Sequence, residues 1–285
     1  MSTIRQSEVR VTTLPSGETV PVLGQGTWNM AEEPAARSDE IAALRLGLDL
    51  GLTLIDTAEM YADGGAEELL GKAIEGRREE VFIVSKVMPS HATRSGTIRA
   101  CENSLRRLGT DHLDLYLLHW PGRVPLKDTV AGFQDLVADG KIRYWGVSNF
   151  DIDDMNKLIG LDGGNEVATN QVLYNLKRRG IEYDLHPWCA SRSIPIMAYS
   201  PIEQGELLRS RAVLEIAKRH NATAAQVALA WVLRKDHVIA IPKAGTVEHV
   251  RQNRDALHIE LSAVDLAELD SSFPPPRRKR PLETN

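Results

Sequence analysis

The chain has 285 residues, 42% of them apolar and 26% charged; that is enough for a sizeable core and excludes disorder, collagen and coiled coil as whole-chain readings. Lys plus Arg number 34 against 39 Asp plus Glu, a formal charge of −5, so there is no net basic charge to hold a nucleic acid. Two cysteines, Cys101 and Cys189, supply neither a disulfide framework nor a cysteine-rich zinc site and suit a reducing compartment. With no apolar leader and no run of about eighteen apolar residues, a cytoplasmic protein without a membrane partner is expected.

In chain order, the first element is a hairpin candidate: Val9 to Leu14, a turn at Pro15, Ser16 and Gly17, and a return from Thr19 to Val22. Apolar runs follow at Leu23–Gly26, Leu54–Asp56, Val81–Val87, Leu113–His119, Tyr144–Ser148, Ala168–Gln171, Ile196–Tyr199 and Val238–Ile241. Their near-continuous apolar character suits strands covered on both faces, as in a parallel sheet. Amphipathic segments lie between them. Thr93 to Leu108 places Ile98, Cys101, Leu105 and Leu108 on one helical stripe, and Ser38 and Asp151 are expected N-caps of the segments after them. The last stretch, 274–285, is Pro-rich and basic, with Arg277, Arg278, Lys279 and Arg280. A solvated terminus is the plain reading of it; the sharper one folds it over a ligand-binding mouth, with Arg277 or Arg278 near an anionic group.

Strand and helix alternating eight times without a composition break predict a single α/β domain over 1–285, a (β/α)8 TIM barrel capped by the hairpin at 9–22. The rival, a doubly wound sheet, is expected to carry a glycine fingerprint after its first strand. Here Gly24 and Gly26 are followed by Asn29 where the third glycine belongs.

A barrel puts its chemistry at the C-terminal ends of its strands. Those ends carry Asp56, Lys86, His119, Ser148, Asn149, Gln171, Tyr199, Ser200 and Lys243, with Tyr61 in the loop after the second strand. Each alone reads as an ordinary rim residue; the set does not. Lys86, flanked by VFIVS and VMP, needs a carboxylate partner if buried, and Asp56 on the adjacent strand is the natural one. An ammonium beside Tyr61 is expected to lower the phenol's pKa and make it a proton donor, while His119 donates a hydrogen bond to a carbonyl oxygen gaining charge. That chemistry suits protonation of an alkoxide while something else delivers hydride.

These motifs, LGQGTW at 23–28, IDTAEMY at 55–61, SK at 85–86, LHWP at 118–121, GVSNF at 146–150, NQ at 170–171, AYSP at 198–201 and IPK at 241–243, resemble in order those of the aldo-keto reductases. The resemblance runs from the hairpin to about Ala256 and implies an NADPH-dependent barrel that reduces carbonyls. It implies a catalytic tetrad at Asp56, Tyr61, Lys86 and His119, with Tyr61 as general acid. It also implies a nicotinamide site at Ser148, Asn149, Gln171 and Tyr199, and cofactor contacts at Gly26, Thr27, Trp28, Ser200, Pro201 and Ile202. Lys243, His249 and Asn253 fall at the 2′-phosphate and adenine end. The chain departs from the family there, with Ala244 in place of Ser and His249 in place of Arg. NADPH preference is therefore expected to be weakened and pH-dependent, with NADH a poorer alternative, because a histidine near pKa 6.5 is mostly neutral above neutrality.

Trp28 and Trp120 are expected pocket walls. The short tail predicts an open pocket for small aldehydes, dicarbonyls or keto esters in a monomer. A cofactor-sensing barrel without turnover is the alternative function. A Schiff-base lysine is disfavoured by Asp56 beside Lys86. Metal hydrolysis lacks HxH or HExxH spacing, so no metal is expected, and a serine elbow fails at Phe150.

Overall fold

The computed structural model describes residues 9–285. Two antiparallel strands open it, β1 (Val11–Thr13) and β2 (Thr19–Pro21), joined where Gly17 takes φ +91°. Eight parallel strands follow in sequence order: β3 (Gln25–Gly26), β4 (Leu54–Asp56), β5 (Phe82–Val87), β6 (Leu113–Leu118), β7 (Ile142–Ser148), β8 (Asn170–Leu173), β9 (Ile196–Tyr199) and β10 (Val238–Ala240). Parallel bridges Leu23–Ala240 and Gly26–Lys243 join the first strand to the last and close the ring. Glycine is required at that seam, because a Cβ on Gly26 would stand 2.7 Å from the Ile241 carbonyl oxygen. Sequential order and closure exclude the doubly wound rival.

The strands are wrapped by α1 (Arg37–Asp49), α2 (Gly65–Ala73), α3 (Arg94–Leu108), α4 (Leu126–Ala138), α5 (Ile152–Ile159), α6 (Leu185–Ala190), α7 (Arg211–Arg219), α8 (Ala224–Leu233) and α9 (Val247–Asp255), with α10 (Ala263–Ser272) after them. Asp151 caps α5 as expected, accepting from the Asp153 and Asp154 N–H groups. Ser38 does not cap α1. A 3-10 turn at Pro34–Ala36 runs directly into the helix, so Ser38 lies inside its first turn. The sixth barrel strand also lies later than the apolar run at Ala168 suggests, at Asn170–Leu173. Val167 through Leu173 are all buried, so no change in polarity marks its start.

Period-two alternation sorts the strand residues between two cores. Leu54, Phe82, Val84, Leu115, Leu117, Met197, Ile239 and Ile241 fill the barrel, and the hairpin residues Leu14 and Val20 plug its bottom. Ile55, Ile83, Val87, Tyr116, Leu118 and Val147 face the helices. Two residues beyond an inward apolar position, the same column ends in Asp56 above Leu54, Lys86 above Val84, His119 above Leu117, and Tyr199 above Met197. The pleat alone therefore brings polar side chains together at the upper mouth.

Candidate active site

Lys86 is fully buried, 0% exposed, and its Nζ donates to Asp56 Oδ2 and to the Thr57 carbonyl oxygen at 2.7 Å each and to the Tyr61 hydroxyl at 3.3 Å. The other Asp56 oxygen accepts from Gln171 Nε2 at 2.7 Å. Burial raises the pKa of Asp56 and lowers that of Lys86, and their mutual attraction opposes both shifts. Such a pair is tolerated because both oxygens and the ammonium have partners. Thr27, also buried, donates its hydroxyl to the Asp56 carbonyl and braces the strand end.

Tyr61 opens a short turn, Tyr61–Gly64, in which Ala62, Asp63 and Gly64 all have positive φ. The loop before it is tied to the end of β5, because Glu59 Oε1 accepts from the Met88 N–H at 2.7 Å. Contrary to the expectation from its lysine neighbour, the Tyr61 pKa is raised and not lowered. Burial, and then the Asp56 carboxylate, push it well above 10, outweighing the ammonium, so the phenol stays protonated. The His119 ring lies edge-on to Tyr61, centroids 5.8 Å apart. Burial, and then Lys86, lower its pKa to about 2, so the imidazole is neutral. Its Nδ1 is enclosed without a hydrogen-bond partner among the described residues, leaving Nε2 as the nitrogen able to reach a ligand.

Above these groups opens a cleft of about 620 Å³, within the size range of small-molecule sites. Asp56, Tyr61, His119 and Gln171 form its floor, with Ser148, Asn149, Tyr199 and Ser200 along one side. Tyr199 donates to Asn149 Oδ1 at 2.9 Å, and Asn149 donates to the His119 carbonyl at 3.2 Å. Gly26, Trp28, Pro201, Ile202 and Lys243 also line it, and Trp120 stands beside His119. Trp28 and Trp120 are 41% and 38% exposed, as an open entrance requires.

Three expected cofactor contacts, Thr27, His249 and Asn253, lie outside this lining. His249 is exposed on α9, its N–H capped by Thr246, and Asn253 is buried one turn later. Residues the sequence reading missed also line the cleft: Asn29, Met60, Gln204, Ile241, Pro242, Thr284 and Asn285. Ile241 was detectable from its inward column; the last two were not. The tail does return to the mouth, but its basic run does not face it. Lys279 pairs with Asp153 and Asp184, Arg178 holds Glu283, and Asn285 Nδ2 donates to Ser200 Oγ at 2.8 Å. Arg277 and Arg278 stay exposed and off the cleft, while Asp153 in the first turn of α5 and Asp184 at the N-cap of α6 hold Lys279 beside them.

The Aldo/keto reductase family model matches residues 22–273. The chain is 56% identical over 269 residues to methylglyoxal reductase YeaE of Escherichia coli (strain K12), covering 93% of this chain and 95% of that protein. It is 36% identical over 261 residues to glyoxal reductase of Bacillus subtilis (strain 168), with 90% and 91% covered. The crystal structure of an aldo/keto reductase from Klebsiella pneumoniae, in complex with NADP and acetate, matches with a TM-score of 0.95 and 53% identity over 97% of this chain and 100% of that one. A ring of eight parallel strands with a buried Asp–Lys pair beneath a tyrosine, together with a sequence match over nearly its whole length, places this chain in the aldo/keto reductase family.

Proposed function

We propose that this chain reduces small aldehydes and α-dicarbonyls of the methylglyoxal and glyoxal kind to alcohols, with NADPH as the reductant and NADH a weaker alternative. One observation carries the reading: Asp56, Lys86 and Tyr61 form a continuous chain of contacts that ends in a phenol at the floor of an open cleft. The names of the relatives that match nearly the full chain point to the same substrates.

The cleft residues fit a nicotinamide dinucleotide. One end offers the exposed Lys243, which has no carboxylate partner among the described residues; the other offers the hydroxyl and amides of Ser148, Asn149 and Gln171, with the Tyr199 ring between. Gln171 gives its Nε2 to Asp56, so its carbonyl oxygen is free to accept from a carboxamide. Tyr199 would stack on the nicotinamide, while Ser200, Pro201, Ile202, Gly26 and Trp28 flank the pyrophosphate path. Lys243, with His249 and Asn253 on α9, would take the adenosine 2′-phosphate end. When bound, NADPH supplies the hydride.

The protein's own task is the proton. A phenol held protonated by burial is in the correct state to act as an acid, and it transfers its proton only as negative charge builds on the substrate oxygen. The ammonium at 3.3 Å then stabilises the phenolate that remains. Neutral His119 donates to the same oxygen without placing a second cation beside Lys86. The half-exposed Trp28 and Trp120 leave room for small, varied carbonyls. Both cysteines are buried and free, which supports the reading of a cytoplasmic enzyme; we propose that it acts as a monomer.

The test is loss of reduced-nicotinamide absorbance with a panel including methylglyoxal, glyoxal and simple aldehydes. Turnover with the dicarbonyls is expected. NADPH binding without turnover of any carbonyl would favour a cofactor-sensing barrel.

A further inference from the structure

Behind the floor of the cleft, on the helix side of β5, lies a second buried charge pair. Glu67 in the first turn of α2 is 0% exposed and accepts from Arg107 Nε and from Ser85 Oγ at 2.6 Å each. Arg107 comes from α3 and also donates to Ser104 at 3.2 Å. A carboxylate enclosed this way is costly unless paired, and an apolar residue could fill the space more cheaply. Its connections explain its presence.

The helix α2 begins immediately after the turn that carries Tyr61, and Ser85 immediately precedes Lys86 in β5. Gly64, the last residue of that turn, has φ +89°, and a Cβ there would stand 2.5 Å from Arg107 Cδ. The arginine stem therefore lies against the turn itself. Ala62 and Asp63 hold left-handed conformations, which persist in non-glycine residues only when the surroundings enforce them. The contact between Lys86 Nζ and the Tyr61 hydroxyl is already long at 3.3 Å, so a further displacement of about half an ångström would break it.

We propose that Glu67, clasped by Arg107, is a positioning residue that locks the Tyr61 turn to the strand bearing Lys86 and sets a second buried negative charge behind the ammonium. The inference rests on the roles of Tyr61 and Lys86 proposed above. Lys86 is faced by Asp56, Tyr61 and His119 within the barrel and by the Glu67–Arg107 pair from behind. The charge on Glu67 acts with that on Asp56 to keep Lys86 protonated against its burial.

Glu67→Gln preserves shape and removes the charge. Full-length protein saturated with NADPH is expected to lose about tenfold in kcat per NADPH-binding site, with KM for NADPH within about twofold of the parent. The alkaline limb of the kcat profile should move to lower pH by about half a unit or more. Arg107→Ala should reproduce the kcat loss, because it removes both the clasp on Glu67 and the stem that lies against the Tyr61 turn, and Arg107→Lys should restore most of it. Arg107 is partly exposed, so these two variants carry the test if Glu67→Gln does not fold.

The control is Asp114→Asn. It disrupts a comparable buried carboxylate held by Arg78 and Arg143 near the opposite end of β6, and should lower Tm while leaving kcat per binding site unchanged. Equal kcat per site in Glu67→Gln and the parent, or equal losses in Glu67→Gln and Asp114→Asn, would overturn the proposal. Tyr61→Phe, run alongside, separates the two readings. A fully active Tyr61→Phe removes the proposed function itself; an inactive one beside a fully active Glu67→Gln removes only the positioning role.

Discussion

Replacing Lys86 with methionine keeps most of the aliphatic stem and removes every bond its ammonium makes. Asp56 Oδ2 and the Thr57 carbonyl each lose a donor at 2.7 Å, and the Tyr61 hydroxyl loses one at 3.3 Å. Removing one partner of a buried ion pair costs about 3–5 kcal/mol, which for a chain of this size lowers Tm by on the order of 10 °C. The penalty depends on pH with a definite sign. Burial already raises the Asp56 pKa above 3.8, and without Lys86 the attraction that opposed the rise is gone. Stability from a carboxyl whose pKa is raised in the folded state is present below the unfolded pKa and lost as pH rises through the folded one.

The gap in Tm between the parent and Lys86→Met should therefore widen from about pH 5 to about pH 8. Turnover at neutral pH should fall by about 10²–10⁴, the range for a positioned proton donor. Differential scanning calorimetry across pH, paired with steady-state kinetics, measures both. Unchanged Tm at each pH and near-parental kcat in this variant would show that the Lys86 ammonium carries neither role.

Three further outcomes follow from the cleft. Because burial and Lys86 hold the His119 pKa down to about 2, its imidazole should give no titration between about pH 5.5 and 7.5 in nitrogen-detected NMR; a transition there would contradict the neutral-donor role. Lys243→Ala should reduce kcat/KM for NADPH by about tenfold while leaving that for NADH nearly unchanged, and equal losses with both cofactors would show that Lys243 does not read the 2′-phosphate. Truncation after Ser272 removes Thr284 and Asn285 from the cleft and Glu283 from Arg178. It should change KM for small carbonyls by about threefold or more, and identical KM values across charged and neutral substrates would remove the tail from the site.

Much of the site was legible because the pleat enforces it. Once Leu54, Val84, Leu117 and Met197 are inward barrel residues, Asp56, Lys86, His119 and Tyr199 must converge two positions later. The tail was harder, since nothing in a Pro-Arg run reveals that Asp153 and Asp184 will hold Lys279 while Asn285 continues to Ser200. Glu67 was invisible for a similar reason: an acidic residue in the first turn of a helix reads as a solvated dipole partner, and nothing in the sequence places Arg107 of α3 and Ser85 of β5 against it. The direction of the Tyr61 pKa also escaped. Proximity to a lysine argues for lowering, whereas the depth of the phenol, which the sequence does not state, decides the balance.

The proposed division of labour has Tyr61 give the proton while the rest of the cleft binds the cofactor. Its most direct test is Tyr61→Phe, with NADPH binding followed by fluorescence and methylglyoxal reduction followed by loss of reduced nicotinamide. Parental NADPH affinity with turnover lowered by about 10²–10⁴ is expected; near-parental turnover in a variant that still binds NADPH would show that Tyr61 is not the proton donor.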